Sequence, residues 1–214
     1  MKTLIIDTAL GACTAVAADG ARVVAAASEE MARGHQERLA GMVRTVMESA
    51  GWSFDDLDRI AVTTGPGSFT GLRVGLAFAQ GLGLALDRPV TGLSTLAALG
   101  RDAEPGPGAA VWALIDARRG QVYAQRFVDH EPSGDPAALA VEDAAARIAA
   151  ESGGVTLAGS GAALIAPPVA RIIDRAAPSA GALARLAADR PEGEARPLYL
   201  RAPDARLPGG RDPE

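Results

Sequence analysis

Two aspartates end apolar segments and precede tight turns, where a carboxylate could hold a cation. Asp7 closes the run "TLIID" and Asp116 closes the run "VWALID". Carboxylate oxygens are ligands that Mg²⁺ uses in proteins. They also accept hydrogen bonds from nearby backbone N–H groups, and for Asp7 this structural role is the favoured interpretation. Arg118 and Arg119 could bind an anion such as a phosphate, although an ion pair within the turn is favoured there.

A glycine-rich turn, "TGPGSFTG" at residues 64–71, joins a strand pattern to a helix pattern. Backbone N–H groups at the start of such a helix can hold a phosphate. The spacing of the three glycines differs from the dinucleotide-binding pattern, and the proline has no N–H. We therefore favour a simple strand-to-helix turn, with Ser68 or Thr70 as the N-cap.

Scarce residue types exclude several kinds of site. Lys2 is the only lysine, so an internal Walker-type phosphate loop is excluded. Cys13 is the only cysteine, which excludes a disulfide within the chain and a cysteine-based zinc site, and we expect it to be a small core residue. His35 and His130 are too far apart in sequence to form a local metal motif. We expect His35 to lie at the surface or in an interface.

The composition is that of a globular protein, with 48% hydrophobic and 22% charged residues. The formal net charge of −5 gives no general basic field for nucleic-acid binding. The N-terminus lacks the pattern of a secretory signal, and the uncharged apolar stretch at residues 74–86 is shorter than a membrane span. We expect a soluble, cytoplasmic protein that does not bind a membrane.

The first half of the chain alternates strand and helix patterns. Apolar, β-branched runs predict strands at residues 3–9 and 59–65. An Asp-Gly pair at residues 19–20, between two apolar runs, predicts a hairpin. Apolar residues spaced three and four apart predict a helix at residues 35–50, and a short strand leads into another helix near Ser94.

The second half repeats this order. Residues 110–130 predict a strand, a turn and a second strand, with Asp116 in the place of Asp7. Helical spacing at residues 138–151, a strand at 154–161 and a helix at 179–189 follow. We infer an internal duplication.

The duplication predicts an α/β protein of two lobes with mixed sheets. The first lobe would span residues 1–105 and the second residues 106–201. The prolines and charges of residues 202–214 predict a disordered tail. Tyr199 is expected to anchor the segment before that tail.

The helix pattern after the glycine turn is apolar all round its axis. Such a helix is buried on more than one face. Gly71, Gly75, Ala79 and Gly83 recur every four residues and form a stripe of small residues that would let another helix approach. Because a glycine inside a helix costs about 1 kcal/mol relative to alanine, close packing is expected to offset that cost. The covering element could be the other lobe or a second polypeptide, and the second polypeptide is favoured.

Several segments, in this order along the chain, resemble the TsaB family, also called YeaZ. They are "LIIDTA", "GHQERLAGMV", "TGPGSFTGLRVGLAFAQGLGLAL", "GLSTLAAL" and "LIDARRGQVYAQRF". The resemblance runs from about residue 1 to residue 130, with a weaker similarity in "PLYLR" at residues 197–201. TsaB is the non-catalytic partner in bacterial threonylcarbamoyl-adenosine modification of tRNA.

The resemblance implies the actin-like, Hsp70-like (ASKHA) fold, built from duplicated RNase H-like halves. It also implies a paralogue, TsaD, which carries a catalytic metal site with a histidine pair. The matching positions here are Thr95 and Leu99, which cannot ligate a metal as histidine does. We therefore expect no catalytic residue and no metal site. We also expect no tightly bound cofactor, with ATP possible in the complex and only Asp7 and Asp116 as weak candidates to bind it.

The same resemblance implies that the chain forms a homodimer and also binds TsaD, through first-lobe helices near residues 35–50 and 70–86. TsaE, an ATPase, joins the pair, and the complex modifies adenosine next to the anticodon, so that contact with tRNA is indirect. A charge at Leu76 is expected to weaken both associations. The expected interface residues are His35, Leu39, Met42, Val43, Val46, Phe69, Leu72, Arg73, Leu76 and Gln80.

The residues leave one alternative function open. The chain could be a nucleotide-dependent phosphotransferase or ATPase of the actin-like fold, using Asp7, the turn at residues 65–71 and Asp116. That function needs a cleft that binds ATP tightly. The scaffold role is favoured.

Overall fold

The computed structural model describes residues 1–104, 106–165, 171–189 and 193–201, and two mixed β-sheets within them define two lobes. The second sheet repeats the strand order of the first. This repetition confirms the two-lobed α/β architecture. The expected tail at residues 202–214 lies outside the described residues.

The first sheet has the strand order β3-β2-β1-β4-β5. Strands β1 to β3 pair antiparallel, and β4 and β5 join β1 in parallel. Strands β1, β2 and β4 are almost completely buried, as expected for apolar strands covered on both faces. The strands are β1 Lys2–Asp7, β2 Ala12–Asp19, β3 Arg22–Glu30, β4 Arg59–Gly65 and β5 Val90–Ser94.

The second sheet has the order β11-β10-β6-β7-β8, and β9 also pairs with β7. Strands β6 and β7 form an antiparallel hairpin, and β10 and β11 add to β6 in parallel. They therefore match β1, β2, β4 and β5 of the first sheet in order and direction. The strands are β6 Ala110–Arg118, β7 Gln121–Val128, β8 Glu131–Pro132, β9 Ala137–Ala140, β10 Val155–Ala158 and β11 Arg171–Ile173.

Five α-helices lie in the described residues: α1 His35–Ala50, α2 Phe69–Leu86, α3 Thr95–Gly100, α4 Val141–Ala149 and α5 Ala180–Asp189. The side chain of Ser68 caps α2 by accepting a hydrogen bond from the N–H of Gly71 at 3.3 Å. Ser94 caps α3 in the same way. Each cap satisfies a backbone donor that the first helical turn leaves unpaired. Ser68 is thus the N-cap of the two candidates that the sequence offers.

The two faces of the first sheet pack against different helices. Successive side chains of a strand point to opposite faces, so Leu4 and Ile6 pack with the inner faces of α1 and α2. Ile5 points the other way, into a cluster with Leu183 and Leu186 of α5. The first lobe is therefore covered by helices from both ends of the chain, and the expected boundary at residue 105 divides the sheets but not the helices.

One helix begins later than its pattern predicts. Residues 138–140 belong to the expected helix at 138–151, yet they are part of β9, in which Leu139 lies opposite Val122 of β7. α4 then begins at Val141. The sequence "AALA" has no polar alternation, so pairing with β7 decides its conformation.

Candidate functional site

A groove of about 480 Å³ lies between α1 and α2 on the outside of the first lobe. Both helices pack their inner faces on the same side of the sheet, and the groove opens between them where α2 begins. Phe69 is 38% exposed. Apolar side chains and one arginine thus form a concave surface. The lining residues are Gln36, Leu39, Phe69, Thr70, Arg73, Val74, Ala77 and Phe78.

Most of the ten expected interface residues pack inside the chain itself. The helical spacing of three and four marks the side of α1 that faces its own sheet, and the same holds for the two leucines of α2. Phe69, Arg73 and Gln80 remain exposed. The buried members are His35, Leu39, Met42, Val43, Val46, Leu72 and Leu76.

The exposed members lie on two different surfaces. Phe69 and Arg73 line the α1–α2 groove, whereas the side-chain N–H of Gln80 donates to the carbonyl of Ala195 at 3.0 Å. The lining residues absent from the expected interface are Gln36, Thr70, Val74, Ala77 and Phe78. The available signal was the outward row Phe69, Arg73 and Ala77, at intervals of four.

The ring of Phe69 contacts a cationic side chain, Arg73, and an aromatic one, Tyr199. The guanidinium carbon of Arg73 lies 3.8 Å from the centroid of its ring, a cation–π distance. The ring of Tyr199 lies 5.3 Å away, centroid to centroid, within the range for aromatic pairs. Tyr199 is thus an anchor of the C-terminal segment, as expected.

The stripe of small residues on α2 faces its own sheet. A Cβ at Gly71 would lie 2.1 Å from the carbonyl oxygen of Thr8, and one at Gly83 would lie 2.3 Å from Cγ2 of Val90. The expectation of close packing is confirmed, but the expectation that another helix fills the stripe is wrong. The sheet occupies that space.

The opposite side of α2 is exposed and apolar. Leu84 is 87% exposed, and Ala77, Gly81 and Ala85 are exposed beside it. Within the described ranges, α2 is also the helix that is long and apolar enough to cross a membrane by length and composition. That length counts residues 69–73, which precede the uncharged stretch at residues 74–86 and include Arg73. α2 packs its inner face on the first sheet.

A cleft of about 520 Å³ lies between the lobes. Its walls come from the β1–β2 turn at residues 9–11, the start of α2 at 66–69, the end of β6 at 115–118 and the C-terminal segment at 198–201. Asp116 and Arg118 line this cleft, and Asp7 does not.

Asp7 is completely buried and bonded within its own lobe. Its Oδ1 accepts hydrogen bonds from the N–H of Ala9 at 2.9 Å and from the hydroxyl of Thr63 at 2.6 Å. Burial raises the pKa of the Asp7 carboxyl, because the charged form is desolvated, and these two hydrogen bonds oppose the rise. The backbone hydrogen bond that the structural interpretation of Asp7 predicts is therefore present.

Asp116 makes the same local bond in the second lobe. Its Oδ1 accepts from the N–H of Arg118 at 2.8 Å, two residues ahead, as Asp7 does with Ala9. Its Oδ2 lies 3.0 Å from the guanidinium of Arg118. The turn ion pair that the sequence favours is present.

The glycine turn uses its backbone donors within the chain. The N–H of Ser68 donates to the carbonyl of Ala9 at 2.7 Å, and the N–H of Gly71 is bound by the Ser68 hydroxyl. These two N–H groups are therefore already hydrogen-bonded within the chain. The geometry favours the strand-to-helix turn over a phosphate cradle.

His35 is buried, with 9% of its surface exposed, because it begins α1 on the same side as Leu39. A surface position for His35 is thus wrong, and its expected place in an interface stays a prediction. Cys13 is a core residue, as expected, and burial raises the pKa of its thiol to about 11. Thr95 and Leu99 are also buried. Among the residues that the structure describes, no group of three or more histidine, cysteine, aspartate or glutamate side chains could hold a metal ion.

Comparisons with known proteins identify relatives in tRNA modification. Residues 25–175 match the family model described as TsaD, tRNA N6-adenosine threonylcarbamoyltransferase. The chain is 43% identical over 125 residues to the tRNA threonylcarbamoyladenosine biosynthesis protein TsaB of Escherichia coli, an alignment that spans 58% of this chain and 53% of that protein.

Solved structures agree with the fold of the whole described chain. The fold is similar to that of YeaZ from Pseudomonas aeruginosa, with a TM-score of 0.80 and 32% identity over 93% of this chain and 99% of that one. A hexokinase from Thermus thermophilus, at 15% identity and a TM-score of 0.51 over 88% of this chain and 98% of that one, shares the fold alone. The expected actin-like architecture is confirmed.

Proposed function

We propose, from the premise that the chain belongs to the TsaB (YeaZ) family, that it is an accessory subunit in the biosynthesis of threonylcarbamoyladenosine in tRNA. In this proposal the chain performs no catalysis itself. It binds a TsaD homologue, with TsaE joining the pair, and also a second copy of itself. Contact with tRNA is made through the complex, in the cytoplasm.

The observation that carries this proposal is the outward surface of α2 with the groove beside it. Phe69 and Arg73 line the groove, and Leu84 exposes most of an apolar side chain farther along the same helix. Exposed apolar surface next to a polar rim is typical of protein–protein contact sites. An aromatic ring with an arginine is also the kind of pair that contributes most to binding energy.

The test measures solution mass, for the purified chain alone and mixed with the TsaD homologue of the same organism. We expect a homodimer that converts to a one-to-one heterodimer. Ala77→Arg, which places a long cation in the groove, should weaken both associations roughly tenfold or more. Leu76→Arg is unsuitable because Leu76 is in the core, with 5% of its surface exposed.

Ser49→Arg is the matched control, because Ser49 is an exposed residue of α1 that does not line the groove. It should leave both associations unchanged. A monomer that does not bind TsaD, or equal weakening by both arginine variants, would contradict the proposed interface.

The interlobe cleft is the observation on which the second candidate rests, a nucleotide-dependent phosphotransferase or ATPase. Its walls include two hairpin turns and the start of a helix, but the carboxylate of Asp7 is buried away from it. We propose that no cofactor binds tightly to the isolated chain and that ATP acts in the complex. Calorimetry with ATP and Mg²⁺ tests this. Stoichiometric binding with turnover would replace the scaffold proposal.

A further inference from the structure

We propose that residues 193–201, which we name the C-terminal strap, form a releasable closure of the interlobe cleft, held in place by Tyr199 on Phe69. The strap runs along the edge of the first sheet and reaches the β6–β7 hairpin of the second. This proposal concerns the isolated chain and does not depend on any partner.

The strap is fitted closely to the first lobe. The N–H of Gly92 donates to the carbonyl of Gly193 at 3.0 Å, and the N–H of Leu198 donates to the carbonyl of Thr64 at 2.8 Å. Because β5 is an edge strand, the N–H of Gly92 is available for the first bond. The carbonyl of Thr64 belongs to β4 and lies where the register between β4 and β5 shifts. A Cβ at Gly92 would lie 2.2 Å from the carbonyl oxygen of Glu194. Only glycine at this position allows the strap to lie so close.

The far end of the strap is attached to the second lobe. The guanidinium of Arg201 donates to the carbonyl of Ala117 at 3.0 Å and to Oε1 of Gln121 at 3.3 Å. Nine residues therefore connect the two sheets across the opening between them.

The strap also divides the space between the lobes. Leu198 lines the cleft of about 520 Å³, and it also lines a second cavity of about 320 Å³, together with His130 and Phe127. Release of the strap would open the cleft and remove one wall of the second cavity.

The contacts of the strap are of a kind that opens locally. No strap residue is fully buried, and Tyr199 is 40% exposed. Segments that bury few apolar groups and are held by exposed backbone hydrogen bonds open without global unfolding. Side chains of the first lobe hold the strap through the Phe69–Tyr199 ring contact and through the hydrogen bond from the Gln80 side chain to the carbonyl of Ala195.

Amide hydrogen exchange of the full chain, measured residue by residue by NMR, tests the proposal. In the unaltered protein the Leu198 amide should exchange far faster than the amides of β1, because the strap opens locally. Tyr199→Ala should accelerate Leu198 about fivefold, by loss of one aromatic pair. The amide of Gly92, which donates to the carbonyl of Gly193 in the strap, should accelerate with it, while β1 stays unchanged.

Arg196→Ala is the control, since the side chain of Arg196 is 80% exposed and its ion pair is with Glu194 inside the strap. It should leave Leu198 exchange unchanged. Gly92→Ala, which pushes a methyl group against the strap, should reproduce the effect of Tyr199→Ala and serves if that variant does not fold. The proposal is overturned if Leu198 exchanges as slowly as β1, or if Tyr199→Ala leaves its exchange as it is.

Discussion

Asp7 and Asp116 show how far a single residue type can be interpreted from sequence. Their equivalent places, each before a hairpin, are visible in the sequence, and the structure gives each the same bond to the N–H two residues ahead. Their environments differ, because Asp7 is enclosed by its lobe and Asp116 lies at the cleft. The sequence around each aspartate does not predict this difference in burial, because the burial depends on residues far away in sequence.

Asp7 should make the stability of the fold depend on pH. Because burial raises its pKa in the folded state, the folded chain binds more protons than the unfolded chain between the two pKa values. The free energy of unfolding therefore falls as the pH rises from about 4 through the folded pKa, by about 1.4 kcal/mol per unit of pKa difference. In Asp7→Asn, whose amide oxygen can still accept both hydrogen bonds, this fall should disappear.

Urea unfolding at a series of pH values measures that slope. Asp19→Asn is the contrasting control, because the N-terminal amino group lowers the pKa of Asp19. Its stabilising effect is present at neutral pH and lost in acid, which is the opposite sign. Equal slopes for Asp7→Asn and the unaltered protein would show that Asp7 contributes no such dependence.

At the scale of elements, α2 explains why its sequence carries several glycines and little charge. Its inner glycines admit the backbone and side chains of the sheet, while its outer face is exposed. A four-residue stripe of small side chains predicts close approach but does not say of what, since a strand and a helix both satisfy it. The close packing of α2 was therefore predictable from the sequence, but the element that packs against it was not.

Two glycine variants of α2 should have opposite effects on stability. Gly71→Ala places its methyl group against the carbonyl of Thr8 and should lower the free energy of unfolding by about 2 kcal/mol. Gly81→Ala meets nothing within 4 Å and should raise it by roughly 0.5–1 kcal/mol, since alanine is the better helix former. Thermal and urea unfolding check both. A neutral Gly71→Ala would contradict the close contact.

At the scale of the whole molecule, the duplicated strand order is the feature that the sequence predicted best. Turn residues between apolar runs predict the two hairpins. In each sheet the first parallel strand pairs with the first strand of the hairpin. The short strands β8 and β11 were missed, because two or three residues carry no period. The position of α5 was also missed, since its amphipathic pattern does not indicate which sheet it covers.

Because α5 follows the second sheet in sequence but packs on the first, a mutation in α5 should lower the local stability of the first lobe. Leu183→Ala removes a fully buried side chain from the cluster between α5 and the first sheet and should cost about 3 kcal/mol. Hydrogen exchange should then accelerate in β1 and β2 more than in β6 and β7.

Leu157→Ala is the matched control, because Leu157 is fully buried in the core of the second lobe. It should accelerate β6 and β7 instead. If Leu183→Ala loosens the second lobe more than the first, α5 does not complete the first lobe in solution.

The packing of α5 on the first sheet also determines when the first lobe can finish folding during translation. The strands that carry Ile5, Val16 and Ala61 are synthesised early, but one face of their sheet relies on α5 for its cover. That helix is synthesised after every strand of the second sheet. Although domains generally fold in the order of synthesis, here the first lobe is completed only after the second sheet has been made, and the growing chain carries an open apolar face until α5 is synthesised.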